Sequence, residues 1–375
     1  MKIGITCYPT YGGSGVVATE LGKALARRGH EVHFICSRMP YRLSRPVEKV
    51  FYHEVEVMNY PVFQYTPYSL ALASKMVYVA DRVNLDLLHV HYAIPHAASA
   101  ILARQVRTSA YLPVITTLHG TDITVVGNDP SYLPITEHSI NQSDGVTAVS
   151  EFLKKATHQE LRITRDIRVI PNFVDLSIFQ KTPCGKTFKS LSPKGEKLLM
   201  HISNFRPVKR IPDVIRTFHA VQKEIDARLV LVGDGPERPA AESLANELGL
   251  PPDRVLFLGK LEVTAGVLAC ADILLLPSDA ESFGLVALEA LACEVPVVGA
   301  LAGGLPEVVD HGVTGYLCPV GKWDLMARSC IQILSDPALK KKMGKAGREK
   351  ALDCFTTDKV LTMYEALYEE VIDGR

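Results

Sequence analysis

The chain has 375 residues, with 41 Lys and Arg against 41 Asp and Glu, so its formal net charge at neutral pH is zero. This length exceeds what one hydrophobic core usually serves and predicts two domains. The balanced charge argues against nucleic acid as a partner, and the absence of a secretory leader or a long apolar run predicts a cytoplasmic protein that is not held in a membrane.

The first half alternates short β-branched apolar runs with longer amphipathic stretches, a pattern typical of a doubly wound parallel α/β sheet. A helix is predicted over Val16 to Arg28. The predicted strands are Lys2 to Cys7, Glu31 to Ile35, Leu87 to His91, Val114 to Leu118, Gly145 to Val149 and Ile167 to Ile170.

A segment rich in Pro, Gly, Lys and Ser, from Thr182 to Gly195, has the composition of a linker. The strand and helix alternation restarts after it, so we expect an N-terminal domain over residues 1–185 and a C-terminal domain over residues 186–356. The last helix, in residues 357–375, is apolar on one face and is expected to pack back on the first domain. The second-domain strands are predicted over Leu198 to Ser203, Leu229 to Gly233, Val255 to Leu258, Ile273 to Pro277, Val295 to Gly299 and Gly315 to Cys318.

Eight cysteines are scattered along the chain without a C-x-x-C pair. Several lie within apolar segments that are expected to be core. This usage predicts reduced, buried thiols of the cytosolic kind.

The most specific pattern follows the predicted strand Ile273 to Pro277. Two carboxylates, Glu281 and Glu289, stand eight positions apart on either side of Gly284, where a helix is predicted to begin near Phe283. Helix N-termini bind anions and carboxylates accept hydrogen bonds from sugar hydroxyls, so the pattern favours a nucleotide sugar. The alternative is structural, with Glu281 as an N-terminal cap and Glu289 as a solvated helix residue.

This stretch resembles the E-x7-E motif of a large family of retaining glycosyltransferases that includes sucrose synthases, glycogen synthases and bacterial mannosyltransferases. Because that family has the GT-B fold, the resemblance implies an α/β protein of two Rossmann-like doubly wound domains with an interdomain cleft. Turns of the second domain follow the family's order at Gly233 to Pro236, Phe257 to Lys260, Gly303 to Val308 and Gly312 to Gly315.

The resemblance implies that the second domain holds a UDP-sugar donor. Glu281 would contact the sugar, Glu289 the ribose hydroxyls, and the backbone around Lys260 and Leu261 the uracil edge. The amides of Gly284 to Val286 would hold the distal phosphate. The implied donor-binding set is Asn204, Gly233, Lys260, Leu261, Glu281, Phe283, Gly284, Leu285, Val286 and Glu289.

A basic loop, Ser203 to Arg210, follows the first predicted strand of the second domain. Cations there can neutralise a diphosphate leaving group, and a solvated basic surface is the alternative. The family carries an Arg and a Lys in this loop, which implies that Arg206 and Lys209 have that role. The family's usual Gly-Arg-Leu reads Ser-Asn-Phe here, so Arg206 would substitute from two residues further on.

No D-x-D motif occurs, and the histidines do not have metal-ligand spacing on one helix face. Arg206 and Lys209 would then stabilise the leaving group in place of a metal ion. The sequence predicts metal-independent catalysis with no cofactor besides the sugar nucleotide substrate.

The first domain has polar loops after its predicted strands. Glycines in the first of them let the backbone approach an anion at a helix N-terminus, with a simple tight turn as the structural alternative. In the family this loop faces the acceptor. The expected acceptor-binding residues are Gly12, Gly13, Ser14, Gly15, Tyr92 and Thr117.

His119 matches a family histidine that contacts the donor sugar beside the reacting centre. The resemblance therefore implies a catalytic set of His119, Arg206, Lys209 and Glu281. His89 and His91 are expected to alternate across their strand, so that only one faces the cleft and His89 is structural.

Within the family, three stretches resemble one subgroup, the N-acetylglucosaminyl L-malate synthases of bacillithiol biosynthesis: residues 1–17, His91 to Ala97 and Thr117 to Thr124. This resemblance implies retaining transfer of N-acetylglucosamine from UDP-N-acetylglucosamine to the hydroxyl of L-malate, a small dicarboxylate. The amides of Gly13 to Gly15, at the positive end of a helix, can bind its carboxylates.

Alternatives stay open at this stage. A same-fold transferase with an inositol or lipid-glycan acceptor, a UDP-N-acetylglucosamine 2-epimerase and an inactive UDP-sugar-binding protein would share the fold and the donor. No first-domain carboxylate is clearly a nucleophile, since Asp122 could orient His119 or cap a turn, so front-face attack is favoured over double displacement. The oligomeric state is left open, with a homo-oligomer among the outcomes.

Overall fold

The computed structural model describes residues 1–10, 12–43, 45–58 and 60–374, without the side chains of residues 186 and 187. They form two compact units, one of Met1–Asn172 with the C-terminal stretch from Thr357, and one of Phe173–Thr356. Among these described residues, no helix combines the length and the apolar character needed to cross a membrane.

The first unit is a parallel sheet whose central strands are buried on both faces because helices cover each side. Its strands are β1 Lys2–Thr6, β2 Glu31–Cys36, β3 Val50–Glu54, β4 Leu87–His91, β5 Val114–Leu118, β6 Gly145–Ala148 and β7 Arg168–Val169. The order across the sheet is β3-β2-β1-β4-β5-β6-β7. Its helices are α1 Gly13–Arg27, α2 Tyr68–Val83, α3 Ala98–Val106, α4 Thr121–Thr124, α5 Leu133–Gln142 and α6 Glu151–Glu160.

The second unit repeats the same winding. Its strands are β8 Lys197–Ile202, β9 Ala227–Val232, β10 Val255–Gly259, β11 Ile273–Leu276, β12 Val297–Ala300 and β13 Gly315–Cys318, in the order β10-β9-β8-β11-β12-β13. Its helices are α7 Ile211–Val221, α8 Arg238–Glu247, α9 Ala265–Leu268, α10 Leu285–Ala292, α11 Leu305–Val308, α12 Trp323–Ser335 and α13 Pro337–Cys354. The predicted α/β class with two doubly wound parallel sheets is confirmed.

The last helix, α14 Thr357–Asp373, belongs to the first unit. Its buried face carries Tyr364 and Tyr368, which are among the largest fully buried side chains. On its outer side Arg28 donates to Glu365 (2.5 Å) and Asp358 (3.1 Å). An apolar face and a rim of ion pairs thus hold this helix on the first sheet.

The division between the units lies earlier in the chain than the sequence predicts. Residues 173–185 are part of the second unit instead of the first. Val174 forms a parallel bridge with Thr356, and Arg348 donates to the carbonyls of Phe179 (2.6 Å) and Leu176 (3.4 Å). These contacts tie the segment to α13 and the residues just after it, although residues 182–185 have the composition of a linker.

The predicted thiol state is wrong for two of the eight cysteines. Cys184 and Cys270 form a disulfide with their Cα atoms 4.8 Å apart. Cys354 is free but exposed, whereas the other five are buried free thiols. The two bridged residues are 86 positions apart in the chain. Next to the bridge, Lys181 Nζ donates to the Ala269 carbonyl at 3.3 Å.

This pairing predicts a thiol count that titration can check. The unfolded protein should show six reactive thiols without reductant and eight after reduction. Because the bridge closes a loop of 86 residues, Cys184→Ser should lower the free energy of unfolding of the second unit by about 4 kcal/mol. Cys354→Ser removes an exposed free thiol and serves as the control, with unchanged stability. Eight thiols in the unreduced protein would contradict the pairing.

Candidate active site

Both sheets place their candidate residues where the strand order reverses. This happens between β1 and β4 in the first unit and between β8 and β11 in the second. Ligands of open α/β sheets bind in the crevice beyond the carboxyl ends of such strands. The loops after these four strands carry most of the predicted site residues.

In the second unit, Lys209 and Glu281 form an ion pair. Lys209 Nζ donates to Glu281 Oε2 at 2.7 Å, and the two side chains are only 21 % and 19 % exposed. Lys209 ends a short 3-10 turn after β8, and Glu281 lies in the loop after β11. The structure thus brings together a cation and a carboxylate that are 72 positions apart in the chain.

Close backbone contacts hold these loops together. The Asp279 amide donates to the Val208 carbonyl at 2.9 Å, and the Gly304 amide donates to the Glu281 carbonyl at 2.7 Å. A Cβ on Gly303 would lie 2.0 Å from the Glu281 carbonyl oxygen, so only glycine allows this approach. The position of Glu281 is therefore set by its backbone as well as by Lys209.

The start of α10 differs from the prediction. The helix begins at Leu285 instead of near Phe283, because Gly284 has a φ of 99° and serves as the N-cap. The first hydrogen bond of this helix runs from the Leu288 amide to the Gly284 carbonyl at 3.0 Å. The amides of Leu285 and Val286 precede this bond and so belong to the helix end that favours an anion.

Phe283 is a core residue. It is 2 % exposed, and its ring packs edge-to-face on Phe355 with centroids 5.6 Å apart. Its side chain therefore anchors the loop instead of contacting a donor. A donor contact as predicted for Phe283 would therefore have to come from its backbone.

Glu289 is buried, at 6 % exposure, so the structural alternative of a solvated helix residue is wrong. The Thr264 hydroxyl donates to Glu289 Oε2 at 3.4 Å. Thr264 comes just before α9 and four residues after Lys260. Sequence reasoning missed Thr264, because a lone threonine in a loop has no distinguishing pattern.

The remaining residues predicted to bind the donor lie in the loops around Lys209 and Glu281. Asn204, Arg206 and Lys260 are exposed, and Leu261 is half-buried. Gly233 has a φ of 120°, and a Cβ there would lie 1.8 Å from the Ser203 carbonyl oxygen. The loops after β8 and β9 thus touch through their backbones and leave the side chains of Asn204 and Arg206 outside.

In the first unit, the glycine loop opens α1. The helix begins at Gly13, and its first internal bond runs from the Val16 amide to the Gly12 carbonyl at 3.2 Å. The amides of Gly13, Ser14 and Gly15 therefore sit at the positive end of a 15-residue helix. A Cβ on Gly15 would meet the Tyr8 and Thr10 carbonyl oxygens at 2.5 and 2.7 Å, whereas one on Gly13 would meet nothing.

A column of three stacked histidines is formed by His89 and His91 in β4 and by His119 directly after β5. His89 and His91 stack with ring centroids 4.5 Å apart, and His91 stacks on His119 at 5.1 Å. His91 Nδ1 lies 2.8 Å from His119 Nε2. The expected alternation of His89 and His91 is wrong, because residues two apart in a strand point to the same side.

These imidazoles are neutral near pH 7. Burial lowers the pKa of His89 and of His119 to about 3 and that of His96 to about 4. Burial also lowers the pKa of His91 well below its usual value. His119, which remains 9 % exposed, can therefore offer a hydrogen bond but not a positive charge.

Asp122 binds backbone amides and does not orient the His119 ring. Its Oδ1 accepts from the amides of His119 (3.1 Å) and Gly120 (2.8 Å), and its Oδ2 accepts from Ala93 (3.2 Å). The carboxyl is 1 % exposed, and burial raises its pKa to about 6. It clamps the β4 and β5 loops together.

Thr117 does not serve the predicted acceptor role. Its hydroxyl is fully buried and lies 2.7 Å from both His89 Nε2 and Thr147 Oγ1. Because the hydroxyl is buried and already paired with these two groups, it does not face a ligand.

Tyr92 lies beside His119, with the two rings stacked at 5.4 Å. Its edge meets Tyr8 at 5.1 Å, and Tyr8 also contacts the His96 ring at 4.6 Å. Tyr8 was not predicted as a site residue, although its place directly after β1 indicates one. Among the residues described, no three His, Cys, Asp or Glu side chains are grouped so that they could hold a metal ion.

Two family models match the chain. Residues 11–178 match Glycosyltransferase Family 4, and residues 186–350 match Glycosyl transferases group 1. The N-acetyl-alpha-D-glucosaminyl L-malate synthase of Bacillus anthracis is 51 % identical over 99 % of this chain and 97 % of its own length. The D-inositol 3-phosphate glycosyltransferase of Kribbella flavida is 28 % identical, over 91 % of this chain and 86 % of its own.

Solved structures share the fold. HepE of Anabaena, in complex with UDP and glucose, superposes with a TM-score of 0.82 at 22 % identity, over 98 % of this chain and 99 % of its own. Sucrose-phosphate synthase from Thermosynechococcus elongatus gives 0.81 at 22 % identity over the full length of both chains. These likenesses confirm the predicted fold.

Proposed function

Since the chain belongs to the two-domain glycosyltransferase family that includes the N-acetyl-alpha-D-glucosaminyl L-malate synthase of Bacillus anthracis, we propose that it transfers N-acetylglucosamine from UDP-N-acetylglucosamine to the hydroxyl of L-malate. The observation that carries the proposal is 51 % identity to that enzyme along nearly the whole chain. In this proposal the second unit supplies groups that suit the sugar nucleotide, and the first unit supplies groups that suit L-malate.

The second unit suits the donor. The Lys209 ammonium and the amides that begin α10 offer positive charge and hydrogen bonds to a diphosphate. Glu281 can accept a hydrogen bond from the donor sugar, and the buried Glu289 can accept from ribose hydroxyls. The backbone at Lys260 and Leu261 serves the uracil edge.

The first unit suits a dicarboxylate. The amides of Gly13, Ser14 and Gly15 at the N-terminus of α1 attract a carboxylate, and the Ser14 hydroxyl adds a donor. Tyr92 adds a phenol beside His119. L-malate brings two carboxylates to such a site and a hydroxyl that can attack the sugar.

Transfer proceeds with retention by front-face attack in this proposal. The leaving diphosphate oxygen takes the proton of the malate hydroxyl as the new glycosidic bond forms, while Lys209 and Arg206 stabilise the developing negative charge. Asp122 is a poor nucleophile because it is buried and already accepts three amides. No metal ion or cofactor takes part, since these cations neutralise the leaving group.

The test is UDP release from UDP-N-acetylglucosamine in the presence of EDTA, with L-malate or succinate, followed by mass spectrometry and anomeric NMR. Succinate keeps both carboxylates but has no hydroxyl to glycosylate. UDP release with L-malate but not with succinate, together with an α-linked adduct, would support L-malate as the acceptor, retention at the anomeric carbon and catalysis without a metal ion. Release only with an inositol or another alcohol would overturn the acceptor and keep the donor.

A pair of glycine variants tests the acceptor loop. Gly15→Ala should raise the KM for L-malate by about 10-fold or more, because its methyl group would press on two backbone carbonyls and displace the loop from the α1 amides. Gly13→Ala, which has open space around it, should stay within about 2-fold of wild type. Steady-state kinetics at fixed donor measure both. A wild-type KM for L-malate in Gly15→Ala would show that the loop does not bind the acceptor.

A further inference from the structure

The His119 imidazole can present its ring nitrogens in two ways. A neutral imidazole carries one hydrogen, so one nitrogen donates and the other accepts. Which nitrogen carries the hydrogen is set by the partner of the other. For His119 that partner is His91, whose Nδ1 lies 2.8 Å from His119 Nε2.

One hydrogen is shared at this contact, because both rings are neutral. Burial keeps the pKa values of His91 and His119 well below neutrality. Either His91 donates from Nδ1 to His119 Nε2, or His119 donates from Nε2 to His91 Nδ1. The second arrangement forces the hydrogen of His91 onto its Nε2.

The far side of the His91 ring decides between these arrangements. His91 Nε2 is buried and has no hydrogen-bond partner among the described residues. A buried N–H without an acceptor is rarer and less favourable than a buried nitrogen lone pair without a donor. His91 therefore keeps its hydrogen on Nδ1 and donates it to His119.

The neighbouring ring does not compete for this hydrogen. His96 Nδ1 lies 2.5 Å from the His91 carbonyl oxygen, which can only accept, so His96 donates there from its own Nδ1. The His119 ring is also held between His91 at 5.1 Å and Tyr92 at 5.4 Å. His91 thus sets the tautomer of His119, and His91 and Tyr92 together set the orientation of its ring.

We propose that His91 is a positioning residue that holds His119 in the tautomer with its hydrogen on Nδ1, so that His119 offers the substrate an N–H donor. The tautomer follows from the geometry of the first unit alone. The benefit for sugar transfer rests on the proposed function, in which His119 meets the donor sugar and donates to one of its oxygens.

Nitrogen-15 NMR of the full-length protein at pH 7 tests the tautomer directly. The two-bond couplings of the ring protons to each nitrogen should show His119 protonated on Nδ1 and bare on Nε2, with its signals assigned by their loss in His119→Gln. Protonation of His119 on Nε2 would overturn the proposal.

Two variants test the effect on the reaction. His91→Leu removes the donor and should lower kcat by about 10- to 100-fold with little change in the KM for the donor, a range typical of residues that orient another ligand-binding side chain. His91→Asn keeps a side-chain N–H near the Nδ1 position and should recover most of kcat. Unfolding midpoints show whether either variant has lost its fold.

His33→Leu is the matched control. His33 is another buried histidine of the same sheet, but its nitrogens bond His53 and Glu31 at 2.9 Å, away from the proposed site. Its kcat should stay at the wild-type value. Wild-type kcat in His91→Leu with activity lost in His119→Gln would overturn the positioning role and leave the proposed function standing. If NMR shows the predicted tautomer but the protein has no transferase activity, the proposed function is overturned and the tautomer assignment stands.

Discussion

Replacing Lys209 with alanine is expected to lower kcat for sugar transfer by about 100- to 1,000-fold, the usual loss when one preorganised group that stabilises transition-state charge is removed. Negative charge develops on the diphosphate as it leaves. Lys209 is held for this task by its 2.7 Å bond to Glu281 and by a short turn anchored through the bond of the Val208 carbonyl to Asp279. Steady-state kinetics with UDP-N-acetylglucosamine measure the change.

The kinetic pattern distinguishes catalysis from binding. A loss confined to kcat means that the interaction is made in the transition state, whereas a rise in KM alone means uniform donor binding. Arg216→Ala is the control, since Arg216 is 44 % exposed on α7 and pairs only with Asp213 among the described residues, at 3.2 Å. Wild-type kcat in Lys209→Ala would show that another group stabilises the leaving diphosphate.

Sequence periodicity is enough to predict two parallel α/β sheets, and the family resemblance implies the GT-B fold. The strands β4, β5 and β13 agree with their predicted bounds residue for residue, because each is a short apolar run between turns. The strand that was missed, β3, lies at the sheet edge, and none of its residues is fully buried. An edge strand of this kind lacks the continuous apolar pattern that marks a central one.

The site was predicted less evenly. Glycine and carboxylate positions after strands could be read from the sequence, since strand ends meet at one edge of a parallel sheet. The direction in which each side chain points could not be predicted from the sequence. Phe283 lies in the core, and the Thr117 hydroxyl is used by His89 and its neighbours, because packing decides which way each side chain turns.

Contacts between segments far apart in the chain could not be predicted from the sequence either. The pairing of Lys209 with Glu281 and the bridge between Cys184 and Cys270 depend on how loops pack after the sheet has formed. The hydrogen bond of Thr264 to Glu289 is of the same kind. The spacing of residues along the chain does not predict such contacts, unless resemblance to a known family indicates them.

The buried histidines have a consequence for stability at low pH. A histidine whose pKa is lowered by folding binds a proton readily only when the chain unfolds. Its contribution to stability is present above its unfolded pKa of 6.5 and is lost as the pH falls toward its folded pKa. In the first unit this applies to four buried residues, namely His89, His91, His96 and His119, and in part to the half-buried His53, whose pKa burial lowers to about 4.

Asp122 acts in the opposite direction. Its pKa is raised from 3.8 to about 6 in the folded state, so near pH 5 the folded protein holds a proton that the unfolded chain releases. The four buried imidazoles gain protons on unfolding and one carboxyl loses one, which leaves a net uptake of about three before the partial contribution of His53. The stability of the first unit should therefore fall by about 4 kcal/mol per pH unit around pH 5.

This acid sensitivity is expected to unfold the first unit before the second. Among the described residues of the second unit, the fully buried histidine is His201, whose pKa burial lowers to about 4, so its pH dependence is shallower. The single tryptophan of the chain, Trp323, lies in α12 of the second unit and reports on that unit alone. In urea titrations near pH 5, the circular dichroism midpoint should fall well below the Trp323 fluorescence midpoint, whereas near pH 7.5 the two should lie closer. Midpoints that shift together, or not at all, between these pH values would mean that the histidine column is not buried and neutral as the structure has it.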